Sequence, residues 1–306
     1  MTVHADLWVL FAVVIAAMLY VDLFVANRKS HAVSLREAGG WVAVWVGAAL
    51  IFCAAIHFLL GKQKSLEFLT GYVLEESLSV DNLFVFIMIF EYFRIPRTYQ
   101  PRVLKWGIIG AIVMRAVFIM AGIGLFRAFD WVIYVFGALL IFTAVKLAAR
   151  KEEKFEPEKN PLLRLFRRFF RVTNDYHDDK FFVLHGGVWC ATPLFAVLLL
   201  IESSDIIFAT DSIPAILAIT RDPFIVYTSN IFAILGLRSL FFMISGMMGL
   251  FRYLKIGISV ILCFVGVKML ISHFYEIPIM VSLGIVFTVL AVSILASLSH
   301  KRKGEK

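Results

Sequence analysis

Apolar residues in this chain neither alternate nor form narrow stripes; they run in long blocks broken by short charged stretches. A helix rises 1.5 Å per residue, so crossing about 30 Å of hydrocarbon takes roughly 20 apolar residues. Nine blocks meet that requirement: residues 7–26, 39–60, 66–93, 104–126, 131–149, 187–218, 224–249, 256–273 and 278–298. In lipid a backbone must satisfy its own N–H and C=O groups, so each block predicts a helix. The fold expected is all-α and polytopic, a single transmembrane domain over residues 1–306. Ahead of the first block stands Met1-Thr-Val-His-Ala-Asp6, with no basic n-region, and no small-residue cleavage site follows it. It is expected to be a retained span rather than a signal peptide.

Composition agrees. Hydrophobic residues make up 61% and charged residues 17%, against about a half and a quarter in ordinary globular domains. A net charge of +8 could suggest nucleic acid, but the basic residues flank the blocks instead of forming one patch, and no nucleic-acid partner is expected. If successive loops alternate sides, one face takes Arg28, Lys29, Arg36, the Arg94–Lys105 loop, the Arg150–Lys180 segment, Arg252, Lys255 and the Lys301–Lys306 tail. The other face takes only Lys62, Lys64, Arg127 and Arg221. The positive-inside bias then sets the N-terminus outside and the C-terminus in the cytoplasm. Cys53, Cys190 and Cys263 stand singly in apolar sequence, without CxxC spacing, and read as packing residues.

Four basic residues inside the blocks come in matched pairs. Arg115-Ala-Val-Phe-Ile-Met answers Arg238-Ser-Leu-Phe-Phe-Met, and Thr143-Ala-Val-Lys146 answers Val265-Gly-Val-Lys268; upstream, Ser79-Val-Asp81 answers Ser203-Ser-Asp205. Spans three to five therefore repeat as spans six to eight, giving repeat one at about 66–149 and repeat two at about 187–273. A three-helix unit repeated once enters the membrane upside down. Inverted repeats of this kind build secondary transporters, with the ligand site near the midplane. The connecting segment 150–186 reads as a cytoplasmic linker. Its run Arg164-Leu-Phe-Arg-Arg-Phe-Phe-Arg171 either lies on anionic lipid as an interfacial helix or only enforces orientation.

Carboxylates in hydrocarbon cost several kcal/mol each and mark function by default. Here they are Asp22, Glu75, Glu76, Asp81, Glu202, Asp205 and Asp211, concentrated in spans three and six, the first helices of the two repeats. At 100° per residue Glu75, Ser79 and Asn82 share a face of span three, with Ser77 and Asp81 turned nearly opposite; Glu202, Asp205 and Ser212 share a face of span six, with Asp211 opposite. A broken span six, unwound near Pro214, would let all of them reach one point. Asn230 adds an amide oxygen. Carboxylate, amide, hydroxyl and carbonyl oxygens without Cys or His suit Mn²⁺, Mg²⁺ or Ca²⁺. Glu75, Asp81, Asn82, Glu202, Asp205, Asp211, Ser212 and Asn230 are the candidate ligands.

Blander readings exist for each. Arg115 and Arg238 could simply neutralise Asp81 and Asp205. Asp22 is either interfacial or part of the path. His57 reads as a packing histidine, and His177-Asp-Asp179 as a solvated loop that could also draw cations to the cytoplasmic mouth. No HExxH, no phosphate-binding glycine loop and no Ser/His/Asp arrangement is found, so no enzyme is expected.

The stretches Glu75-Glu-Ser-Leu-Ser-Val-Asp-Asn82, Glu202-Ser-Ser-Asp-Ile-Ile-Phe-Ala-Thr-Asp-Ser-Ile-Pro-Ala215 and Thr228-Ser-Asn-Ile-Phe-Ala-Ile-Leu-Gly-Leu-Arg238 resemble the TerC family of bacterial membrane proteins, in its Alx branch. The likeness extends to Met18-Leu-Tyr-Val-Asp22 and Phe264-Val-Gly-Val-Lys-Met-Leu270. It implies an inner-membrane protein linked to manganese export, with Glu75, Asp81, Asn82, Glu202, Asp205, Asp211 and Ser212 inheriting the site; Glu76 stands where the family pattern admits Lys. The family's name refers to tellurium resistance, a separate association.

The function expected is Mn²⁺ export by alternating access, in exchange for protons, with the ion as cargo and no resident cofactor. A non-transporting scaffold of a metal or tellurite stress-resistance complex is the alternative, with the basic linker as its docking surface. A third reading, an intramembrane aspartyl hydrolase, requires Asp205 and Asp211 to meet, and their opposed faces disfavour it.

Overall fold

A computed structural model describes residues 5–22, 34–129, 131–149, 173, 179–185, 188–246, 254–275 and 277–304. Among them the chain forms helices α1 (Ala5–Tyr20), α2 (Leu35–Leu60), α3 (Lys62–Tyr92), α4 (Gln100–Ala128) and α5 (Val132–Ala149). A hairpin of β1 (Phe182–His185) and β2 (Val188–Ala191) follows, then α6 (Pro193–Leu217), α7 (Pro223–Ser245), α8 (Leu254–Ile271) and α9 (Ile279–Gly304). Each matches one predicted block. The protein is a polytopic helical membrane protein: seven of these helices are long and apolar enough to cross a bilayer. Two are not by those measures: α3, which carries too many charges, and α1, whose apolar stretch is only Leu7–Tyr20.

Helix ends follow local chemistry. Pro193 and Pro223 open α6 and α7, and Pro101 lies in the first turn of α4, where no N–H is missed. Ser34 accepts from the Glu37 N–H at 3.2 Å, and Asp222 accepts from the Phe224 N–H at 3.0 Å. Gly61, at φ 90°, turns α2 directly into α3. The end of α3 is a Schellman turn: Ile95 N–H reaches Phe90 O at 2.9 Å around Arg94 at φ 51°.

Two expectations need correction. The all-α reading misses the hairpin, so the sixth span starts at Pro193 rather than residue 187. His185 pairs with Val188 across the two-residue gap that holds Gly186-Gly187 in sequence, a hairpin spacing whose apolar neighbours merge with the span. Span six is also unbroken through Pro214. Only three residues of helix follow that proline, so its missing N–H costs one hydrogen bond, to the Thr210 carbonyl, instead of a kink in mid-span. The segment Arg164–Arg171 lies outside the described residues.

Packing is organised around α7, of whose apolar window 89% is buried, against 17% for α2. Among the main contacts α3 packs on α7, α4 on α6, and α5 on α8. Glycines make these approaches close. A Cβ on Gly71 would meet Ile216 and Ser229 at 2.8 and 3.0 Å, and one on Gly266 would meet the Gly137 carbonyl at 2.8 Å. Lipid tails offer no hydrophobic drive, so close backbone contact is what joins helices in a membrane.

Candidate functional site

Arg115, on α4, is fully buried and points its guanidinium between α3 and α6. Its Nε donates to Asp205 Oδ2 at 3.3 Å and its Nη2 to Asp205 Oδ1 at 3.2 Å, a bidentate grip. Nη1 donates to the Ser212 hydroxyl at 2.9 Å and also pairs with Glu75 Oε1. Three sequence candidates therefore meet at one arginine. The helical wheel foreshadows this, since Asp205 and Ser212 share the face of α6 that packs on α4. Glu202 lies on that face too. Its carboxylate rests against Gly110, where a Cβ would stand 2.1 Å from Oε1, so α4 accepts it only because residue 110 is glycine.

Behind Glu75 the seam between α3 and α7 is polar and incompletely bonded. Glu75 Oε2, Ser79 Oγ, Tyr72 OH and both amide atoms of Asn230 are buried without a well-formed hydrogen bond, although Asn230 still interacts with Glu75 and Tyr72 with Glu76. Asn230 lies beside Glu75, and Tyr72 beside Glu76, whose Oε1 would stand 3.1 Å from a Cβ on Gly236. Buried polar atoms in native proteins are almost always paired, and unpaired ones cost about 1–3 kcal/mol each. Such a seam suits a ligand rich in hydration, either water or a hard cation.

On the opposite face of α6, Asp211 Oδ1 accepts from the Thr143 hydroxyl of α5 at 2.9 Å. Both line a cavity of about 260 Å³, together with Asn82, Lys146 and Ser212. Ser212 belongs to both places, bonded to Arg115 on one side and lining the cavity on the other. A much smaller cavity of about 20 Å³ adjoins Glu202, Asp205 and Arg238.

The eight candidate ligands are thus distributed rather than gathered. Glu75, Asp205 and Ser212 share Arg115, with Asn230 next to Glu75; Asn82 and Asp211 face the larger cavity; Glu202 stands between α6 and α4. Asp81 lies within α3, with its side chain outside the described residues. Among the described residues no three His, Cys, Asp or Glu side chains converge as a metal cluster.

Several neutral readings change as well. Arg115 pairs with Asp205 and Glu75, while Arg238 pairs with Asp22 Oδ1 at 2.9 Å. Asp22 is buried, with Arg238 as its partner. Asp179 is not merely solvated, since Arg102 binds it; His177 and Asp178 lie outside the described residues. Among the described residues His57 has the Ser65 hydroxyl within reach, at 3.4 Å, and the three cysteines are free. Tyr72, Ser79 and Thr143 are the contributors that carboxylate counting passes over. Thr143 could be found from its place one turn before Lys146, in the segment Thr143-Ala-Val-Lys146 that answers Val265-Gly-Val-Lys268.

The profile described as "Integral membrane protein TerC family" matches residues 60–305. This chain belongs to the TerC family. It is 51% identical over 296 residues to "Uncharacterized membrane protein STKORF319" of Myxococcus xanthus, covering 97% of this chain and 93% of that one. It is 47% identical over 307 residues to "Putative membrane-bound redox modulator Alx" of Salmonella typhi, covering 97% and 95%. The protein of that name in Escherichia coli (strain K12) is 48% identical over 296 residues, covering 94% and 92%. No solved structure matches the chain. The resemblance carried by Glu75–Asn82 and Glu202–Ala215 is therefore that of a TerC member with Alx-named relatives spanning nearly its whole length.

Proposed function

We propose that this TerC protein is a secondary transporter that exports Mn²⁺ across the bacterial inner membrane in exchange for protons. The observation that carries this reading is the set of buried hard oxygen donors without a well-formed hydrogen bond at the α3–α7 seam, beside the carboxylates held by Arg115. Carboxylate, amide and hydroxyl oxygens match the ligand preferences of Mn²⁺ and Mg²⁺. With Glu75 and Asp205 against one arginine and Glu76 next to Glu75, the locality can neutralise a dipositive ion. The cargo would pass between this seam and the Asp211 cavity, which share Ser212. Ion loss would be balanced by protonation of the vacated carboxylates.

Alternating access follows from an inverted repeat, with α3–α5 as one unit and α6–α8 as the other. Pairing of α3 with α7 and α4 with α6 supports that relation, because a two-fold axis exchanges these two contacts. On this reading α1 and α3 also cross the bilayer, giving nine spans, with the N-terminus periplasmic and the C-terminus cytoplasmic. The scaffold alternative, and the redox modulation named for the Alx relatives, have less to rest on here. The three cysteines lie on α2, β2 and α8, and all are free, so no thiol pair serves a disulfide couple. Asp205 and Asp211 turn to different helices, which gives an aspartyl hydrolase no dyad.

The test is Mn²⁺ movement across proteoliposomes containing only this protein, with Mg²⁺ and Ca²⁺ as competitors and Asp81→Asn and Asp205→Asn as variants. Saturable flux lost in the folded variants supports the transporter. Absence of flux from folded wild type, under an imposed proton gradient of either direction, favours the scaffold.

A further inference from the structure

We infer that Arg115 is a tethered counter-cation, an internal stand-in for part of the transported ion's charge that holds the carboxylates while the carrier is free of metal and so, together with the protons taken up in exchange, permits its metal-free return. This rests on the transport reading and adds to it the step that separates a carrier able to give net flux from one that only exchanges.

Arg115 makes four bonds, two to Asp205, one to Glu75 and one to Ser212, and each acceptor is an oxygen that a hard divalent ion would also take. The arginine comes from α4, whereas the carboxylates come from α3 and α6, so the same group joins both proposed repeats. No other side-chain cation serves the pair: among the described residues neither Glu75 nor Asp205 has a second cationic partner, and Arg238 is engaged by Asp22. Nor is the arrangement a saturated structural ion pair. Glu75 Oε2 makes no well-formed hydrogen bond and has beside it only the neutral Asn230 amide, which an ion can displace or share, so the carboxylate keeps a coordinating edge with the guanidinium in place. An entering ion can bind that edge first and then displace the guanidinium from Oε1 and from Asp205, with no stage at which two bare carboxylates face hydrocarbon.

The consequence is a distinction between two kinds of flux. With the guanidinium balancing one carboxylate and a proton the other, the metal-free site is neutral; without the guanidinium a carboxylate is left unneutralised in a low-dielectric region, and that cost falls on the metal-free carrier as it reorients. The loaded carrier has its own cation and is spared. Loss of the guanidinium therefore slows net transport, which needs the metal-free return, and spares exchange of Mn²⁺ for isotopically labelled Mn²⁺, which does not.

Reconstituted wild type, Arg115→Gln and Arg115→Lys should be compared for net Mn²⁺ efflux and for equilibrium exchange of labelled Mn²⁺. In Arg115→Gln, net efflux is expected to fall about tenfold or more, as a barrier increase of about 1.4 kcal/mol would produce, with exchange near wild type. Arg115→Lys, which keeps the charge, should hold its ratio of net flux to exchange close to wild type. Equal loss of both fluxes in folded Arg115→Gln, or no loss of either, overturns the inference. If Arg115→Gln does not fold, Arg115→Lys decides, and exchange without net flux in that variant overturns it. Wild type showing neither flux fails the transport reading itself, whereas wild type that transports while Arg115→Gln loses both fluxes together fails this inference alone.

Discussion

Arg238 of α7 closes on Asp22 just beyond α1, donating to the carboxylate Oδ1 at 2.9 Å and also to the Asp22 backbone carbonyl. Both side chains are buried, and the pair ties the peripheral first helix to the most enclosed one. Removing one member of a buried ion pair strands the other, at a cost of about 3–5 kcal/mol, whereas replacing both with apolar groups of similar size is near neutral. Asp22→Ala should therefore destabilise the protein strongly in detergent denaturation, and Asp22→Leu combined with Arg238→Met should recover most of the loss. An Asp22→Ala protein as stable as wild type would show that the pair contributes nothing to holding α1.

The α5–α8 contact offers a matched pair of glycines. A Cβ at Gly266 would stand 2.8 Å from the Gly137 carbonyl and 2.8 Å from Ile141 Cγ1, and the backbone oxygen cannot swing aside; at Gly284, on α9, it would meet nothing within 4 Å. Gly266→Ala is expected to cost about 1–3 kcal/mol through overpacking, while Gly284→Ala should gain roughly 0.5–1 kcal/mol of helix stability. Both changes carry the same propensity benefit, so equal behaviour in thermal unfolding would remove the close approach from the account.

Much of this was legible before any coordinates. Helical arithmetic on α6 placed Asp205 and Ser212 on one side and Asp211 on the other, and they bond to α4 and α5 respectively. Long apolar blocks located each helix because a membrane demands a minimum length of them. Pairing partners were a different matter. Arg115 reaches Glu75 forty residues away and Asp205 ninety residues away, and nothing local in sequence distinguishes these acids from Asp81. The expected break at Pro214 overlooked how few residues follow it, and the Gly186-Gly187 hairpin was hidden because its strands are as apolar as the span beside them.

At the opposite rim from the basic loops, Lys64 Nζ sits between Glu67 Oε2 at 2.9 Å and Asp222 Oδ2 at 3.0 Å, and Thr220 donates to the same Glu67 oxygen at 2.6 Å. This joins the first turn of α3, which projects beyond the span, to the loop before α7. Burial acts to lower the Lys64 ammonium, but hydrogen bonds and charge attraction from Glu67 and Asp222 outweigh it and hold the group above its ordinary value of 10.5. A group raised on folding gives its stabilisation in full below the unfolded value and loses it as pH rises through the folded one. The difference in thermal midpoint between wild type and Lys64→Met should therefore stay constant below about pH 10 and shrink above it. A difference that does not change on the alkaline side would show the lysine acting through packing alone.

Asp211 and Thr143 bear on transport rather than stability. The hydroxyl holds one carboxylate oxygen at 2.9 Å at the edge of the 260 Å³ cavity, which fixes the direction in which that carboxylate can meet an ion. Groups that orient a ligand in this way typically change metal affinity by about 10–100-fold when lost. Thr143→Val, which keeps the shape and removes the donor, is expected to raise the Mn²⁺ concentration for half-maximal flux about tenfold while leaving the maximal rate within about threefold. Thr143→Ser keeps the donor and should stay near wild type. Asp211→Asn still accepts from Thr143 but has no charge to offer the ion, so its loss should exceed that of Thr143→Val and fall on the maximal rate as well. Wild-type kinetics in all three variants would take this cavity out of the ion's route and leave the Arg115 carboxylates to carry it alone.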